Sequence, residues 1–305
     1  MNILLTGAAG QLGSEMIPLL SVHGKLIASD RCGPVVPVKH WEELEMSDGA
    51  KLEALLNRVR PALIVNAAAY TAVDLAETYP ETAFEVNATL PGRLGHWAKK
   101  NDARVIHYST DYVFDGTSDR PYQETDTPNP KGVYGDSKLA GELAIENSGC
   151  RHVTLRTSWV YSSRGKNFVL TMLELARKGL SLKVVDDQVG CPTWAHNLAL
   201  ASNAVIESWK HPVCGSGNGL FHYCDDETVS WYDFAQRIFS IAVDADLLEK
   251  APELTPVTSS EFPQLAVRPK WSVLDTTKLG QVFDINAVSF DKSLRAVIGE
   301  IKARG

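Results

Sequence analysis

"NILLTGAAGQLGSE", Asn2 to Glu15, runs from a short apolar segment through a glycine-rich turn into an amphipathic one. That order is strand, turn and helix. Gly7 allows the tight turn, Gly10 lets the backbone approach a pyrophosphate, and Gly13 permits close packing of helix on strand. The first turn of the helix presents backbone N–H groups to the same point, which attracts phosphate charge. In this context the glycines predict dinucleotide binding, although their G-x-x-G-x-x-G spacing departs from the commoner G-x-G-x-x-G.

Strands are predicted at 2–6, 25–29, 62–66, 104–109 and 152–156, with helices near 11–22, 48–58, 82–100 and 134–147 between them. Such a βαβ series predicts an α/β fold, a Rossmann-type doubly wound parallel sheet with both faces covered. Asp30 closes the second strand, 17 residues beyond Gly13, where its carboxylate would accept from an adenosine ribose and repel a 2′-phosphate. Arg31 beside it would pair with that phosphate, so both NADH and NADPH are expected. After Trp159 the alternation loosens. Helices are predicted near 167–178, 194–208 and 230–242, with strands at "LKVV" and "LFHY". The expected division is a dinucleotide-binding domain over 1–160 and a smaller, mainly substrate-binding C-terminal lobe over 161–305, with an approximate boundary across which the chain is free to return.

With 44% hydrophobic and 22% charged residues, the 305-residue chain has an ordinary globular composition. A net charge of −7 argues against nucleic-acid binding, which needs a clustered cationic surface. The five cysteines, Cys32, Cys150, Cys191, Cys214 and Cys224, contain no C-x-x-C pair and indicate neither a disulfide framework nor a zinc site. A reducing cytoplasm is the expected compartment. No signal peptide is read at "MNILLTG", nor any apolar run of the roughly 20 residues that would span a membrane.

"VYGDSKLAGE", Val133 to Glu142, places Tyr134 and Lys138 on one helix face. Beside a nicotinamide cofactor this pair has a role: the phenol protonates an alkoxide left by hydride transfer, and the ammonium lowers the phenol's pKa and holds the nicotinamide ribose. "HYSTDYVFDG" ends the fourth strand, where open α/β sheets place their sites, and offers Ser109 or Thr110 to polarise a carbonyl. Arg268 and Lys270 in "VRPKW" are candidates to neutralise a diphosphate. His222 reads as a packed strand histidine, and Asp186 and Asp187 are assigned no chemistry.

The glycine turn resembles that of the short-chain dehydrogenase/reductase superfamily. Six further blocks, "VNAAAYTAVDLAE" (65–77), "STDYVFDG" (109–116), "VYGDSKLAGE" (133–142), "LRTSWVYS" (155–162), "DDQVGCPTW" (186–194) and "VRPKWSVLD" (267–275), resemble with it, in order and spacing, the dTDP-4-dehydrorhamnose reductase family. The resemblance implies reduction of the 4-keto group of dTDP-4-dehydro-L-rhamnose to dTDP-L-rhamnose. It selects Thr110 for a catalytic trio with Tyr134 and Lys138, pairs Thr110 with Asp111 as sugar contacts, and sets Trp159 at the border of the sugar. On the cofactor side it implies Gly10, Gln11 and Leu12 at the phosphates, Asp30 at the ribose, Ala69, Tyr70 and Thr71 in the loop after the third strand, and Glu45 and Met46 near the adenine. Some members hold Mg²⁺ through acidic side chains between two subunits, which leaves a homodimer open. Glu15 matches one such position, but His196 replaces the expected glutamate after "PTW", so no metal ligand is assigned. Two rivals share the framework. A nucleotide-sugar dehydratase or epimerase is one, and a dehydratase would continue Thr-Asp-Glu where this chain reads Thr110-Asp111-Tyr112. A non-catalytic regulator resembling the β subunit of methionine adenosyltransferase is the other, against which the intact trio argues.

Overall fold

The computed structural model describes residues 1–210 and 217–304, so Pro212 and Cys214 lie outside the described residues. Strands β1 (Asn2–Thr6), β2 (Lys25–Asp30), β3 (Trp41–Glu43), β4 (Leu63–Asn66), β5 (Arg104–Thr110) and β6 (Arg151–Thr157) pair in the order β6-β5-β4-β1-β2-β3. Strand Gly219–His222 adds to the free side of β6, and every pairing in this sheet is parallel. This is the doubly wound sheet that the alternation predicts. From β1 the chain winds one way to β2 and the other way to β4, so a crevice opens above the C-terminal ends of β1 and β4. Beneath it the Thr6 hydroxyl donates to Asn66 at 2.6 Å, and Asn66 meets the His107 ring at 3.0 Å.

The run predicted as one helix over 82–100 is three pieces: Pro80–Phe84, a π-turn at Glu85–Thr89, and Leu90–Lys100. Pro91 has no N–H to give the Asn87 carbonyl, and the Leu90 N–H reaches back to Glu85 instead. The widened turn exposes the Asn87 carbonyl to Gly141, where a Cβ would stand 2.0 Å from that oxygen. The short strand β3, the helix Val73–Thr78 and the last two helices, Thr277–Phe283 and Phe290–Arg304, were not predicted. The final one carried a readable signal, since Phe290, Leu294, Val297 and Ile298 recur at helical spacing and are fully buried.

Past residue 160 the chain both builds a second lobe and returns to the first. Helix Ala195–Ser208 packs beside Gln11–Ser21 against the large sheet, and Gly219–His222 joins it. The second lobe has its own core, built from Phe168–Arg177, Trp231–Asp244 and Phe290–Arg304, with short pairings such as Leu182–Val185 to Leu254–Val257. Among the described residues no helix is long and apolar enough to cross a membrane.

Candidate active site

A cleft of about 850 Å³ lies over the crevice, and Gly7, Gly10, Asp30, Glu45, Met46, Ala69, Tyr70 and Thr71 all line it. Gly7 sits at φ +67°, and a Cβ there would lie 2.4 Å from the Ala68 nitrogen. Gly13 does not line the cleft. A Cβ on it would meet the Gly7 oxygen at 2.1 Å, so its part is to let the helix close on the turn. Gly10 caps this helix without a side chain, and the first turn carries no carboxylate, so the amides of Gln11 and Leu12 stay available to an anion. The side chain of Gln11 points elsewhere, accepting from Ser162 at 3.1 Å and Asn167 at 2.7 Å across to the second lobe. Asp30 accepts from the Ala9 N–H at 3.0 Å and the Arg31 N–H at 2.7 Å, which holds its carboxylate at the cleft edge beside the exposed Arg31. These groups fit a dinucleotide: amides for the phosphates, a fixed carboxylate for a ribose, and buried Met46 for the adenine.

The chemistry-bearing side chains converge where β5 ends. Thr110 donates to Asp111 at 2.9 Å and accepts from the Tyr112 N–H at 3.2 Å. Ser109, also buried, has a hydroxyl without a hydrogen-bond partner among the described residues. Burial pushes the Asp111 carboxyl up to about 6, opposed by Ser272 and Thr110. Tyr134 stands on the helix Val133–Ser148, whose first N–H is capped from outside by Glu77 at 2.8 Å. The Tyr112 ring meets it edge-on at 5.5 Å. Desolvation raises the Tyr134 phenol; the neighbouring Thr110 hydroxyl and the charge of Arg268 act downward.

The Lys138 ammonium donates to the Tyr108 carbonyl on β5 at 2.5 Å. Burial lowers Lys138 itself to about 8, opposed by Glu142 one turn further along the helix. Glu142 in turn accepts a two-pronged ion pair from Arg156 at 2.9 and 2.7 Å, both residues being buried. Asn87, which sequence reasoning missed, holds Tyr70 through both its N–H and its carbonyl and also bonds Ser137 at 3.0 Å. An asparagine inside an apolar helical pattern, four residues before a proline, was the available signal.

On the second lobe's side, Trp159 is half-buried and stacks on Trp231. A separate cavity of about 280 Å³ is lined by Tyr112, Phe168, Lys183, Trp231 and Arg268, among others. Arg268 is held there by Asp74 at 2.7 Å and the Tyr112 hydroxyl at 3.0 Å. Lys270 instead is exposed and faces Asp187 at 3.8 Å. His222 is fully buried and pushed down to about 3 by burial, while Asp186 and Asp187 accept from Ser230 and Ser259. Glu15 pairs with His196 at 3.0 Å and raises that imidazole. A carboxylate already engaged by an imidazole, with a histidine in place of a second carboxylate, is a poor ligand set for a hard divalent ion, so Glu15 and His196 do not fit the Mg²⁺ that the resemblance implies for some members.

The RmlD substrate binding domain family matches residues 1–303. The dTDP-4-dehydrorhamnose reductase of Salmonella typhimurium strain LT2 is 40% identical over 304 residues, covering 99% of this chain and 98% of that one. The crystal structure of a dTDP-4-dehydrorhamnose reductase from Clostridium acetobutylicum superposes with a TM-score of 0.88 at 34% identity, covering 99% of this chain and all of that one. A Bacillus anthracis dTDP-4-dehydrorhamnose reductase solved in complex with NADP gives 0.87 at 30% identity, covering 98% and 99%.

Proposed function

The chain belongs to the dTDP-4-dehydrorhamnose reductase family, and from that membership we propose that it reduces the 4-keto group of dTDP-4-dehydro-L-rhamnose to dTDP-L-rhamnose with NADPH or NADH. A reduced nicotinamide, when bound in the cleft, would supply the hydride that C4 receives. The carbonyl electron pair then moves to O4, where Tyr134 delivers its proton. Thr110 donates a hydrogen bond to the same oxygen, which requires it to exchange its present acceptor, Asp111, for the substrate. Asp111, released by Thr110, accepts from a sugar hydroxyl. Desolvation keeps the phenol protonated until negative charge develops on O4, so Tyr134 is loaded as an acid at neutral pH. Lys138 lowers the phenol's pKa by its charge and holds the nicotinamide ribose. Arg268 and Lys183 take the diphosphate in the cavity beside Tyr112.

The observation that carries the reading is the gathering of Thr110, Asp111 and Tyr112 where β5 ends, with the Tyr134 ring edge-on against Tyr112, in a chain whose glycine turn opens a cleft lined for a dinucleotide. A dehydratase would need a carboxylate after Asp111; this chain has Tyr112, committed to Arg268. The test is loss of nicotinamide absorbance with the 4-keto sugar generated in place. Tyr134→Phe should lower kcat by ~10²–10³, as expected for one hydroxyl serving as acid and oxyanion donor. Retention of more than about a tenth of wild-type kcat would place the proton donor elsewhere.

A further inference from the structure

Trp159 carries a backbone φ of +47°. A bulky aromatic in that region is a genuine outlier and persists only where its surroundings over-determine it. Two neighbours do so. At Gly190 a Cβ would lie 2.7 Å from the Trp159 ring, so the indole occupies space that only glycine leaves. On Trp231 it stacks with centroids 3.5 Å apart and planes within 7°. Gly190 faces Val229 in a short antiparallel pair, and Trp231 opens the helix that follows it. That helix start is pinned by a capping box between Ser230 and Asp233, and Ser230 also donates to Asp186 at 2.6 Å. Behind the stack, Phe168 packs on Trp231 at 4.6 Å. Trp231 also forms part of the wall of the cavity that contains Tyr112 and Arg268.

We propose that Trp231 is a positioning residue for the nucleotide sugar: it holds Trp159 in its left-handed conformation against the sugar and walls the neighbouring cavity, coupling the two subsites through one aromatic stack. This rests on the reading of Trp159 as sugar-facing. Its role is to fix where the sugar sits relative to Tyr134, so removing the stack loosens substrate binding while the cofactor cleft is untouched.

The test compares Trp231→Leu, Trp231→Phe and Trp159→Phe with wild type by steady-state kinetics and far-ultraviolet circular dichroism. Trp231→Leu keeps apolar volume but removes the ring face. It should raise KM for the nucleotide sugar about tenfold, the scale of one lost aromatic pair. KM for NADPH should stay constant, and Trp231→Phe should recover most of the loss. The exciton couplet of the stacked indoles should vanish in all three variants. An unchanged sugar KM in Trp231→Leu, with a raised one in Trp159→Phe, overturns the proposal alone. An unchanged sugar KM in Trp159→Phe overturns the sugar-facing reading and the proposal with it.

Discussion

Replacing Lys138 by methionine should alter the pH dependence of stability in a way fixed by its surroundings. The side chain is 3% exposed, and burial lowers its ammonium from 10.5 to about 8. Between those values the unfolded chain binds the proton and the folded one does not, so stability rises with pH across that window. At 1.36 kcal/mol per unit the penalty is about 3 kcal/mol, fully present below pH 8 and gone above about 10.5. Methionine removes it, together with the charge-assisted hydrogen bond to the Tyr108 carbonyl, worth roughly 1.5–3 kcal/mol. Near pH 7 the two effects nearly cancel, and Lys138→Met should be about as stable as wild type although it turns over slowly. Raising the pH to about 9.5 relieves wild type alone, shifting the difference by about 2 kcal/mol in its favour. Urea unfolding of both proteins, without cofactor, at the two pH values measures this directly. A stability difference that stays constant across them would mean that Lys138 does not titrate near 8, and the account of its burial would be wrong.

Asp30→Ala should raise the NADPH/NADH ratio of kcat/KM about five- to tenfold by removing one charge that opposes a 2′-phosphate at a partly solvated site; an unchanged ratio refutes the ribose contact. Gly13→Ala should cost about 1–3 kcal/mol, because the new methyl collides with the Gly7 carbonyl and the helix must withdraw. Thermal unfolding would detect this, and an unaltered Tm would show that the turn has slack. Glu15 raises the His196 imidazole, so the pair stabilises the fold below the ordinary histidine value near 6.5 and loses that contribution as pH climbs through the raised one. With 36% of the His196 side chain exposed, His196→Gln should be less stable than wild type by under about 1 kcal/mol near pH 6 and indistinguishable near pH 8.5 by urea unfolding.

Features written in neighbouring residues were readable. The strand and glycine turn of β1, and the four-residue spacing of Tyr134 and Lys138, depend on chain geometry that any strand or helix imposes. Composition hid what depends on partners far along the chain. Arg268 reads as a diphosphate candidate, but nothing near it in the chain shows what holds it: Asp74, 194 positions earlier, fixes its fork, and Tyr112 receives it. The acceptor of the Lys138 ammonium, the Tyr108 carbonyl on β5, lies 30 positions earlier in the chain. The π-turn could not be separated from an ordinary helix by hydrophobic period, because Pro91 acts on a hydrogen bond rather than on a face. Trp231 lies 72 positions beyond Trp159 and gives no local sign of their stack.

The Asn87 side chain turns these separate pieces into one gauge. It grips the Tyr70 backbone at the cofactor cleft and Ser137 on the helix that bears Tyr134, with a glycine seated on its own carbonyl. Hydride donor and proton donor must reach opposite ends of one carbonyl group, and an error of about 1 Å there costs on the order of a hundredfold in rate. In the proposed reaction, a dinucleotide seated in the Tyr70 loop would be aligned with Tyr134 before any sugar arrives. On that reading the alignment tolerance of the reaction is set by an amide that need touch neither reactant.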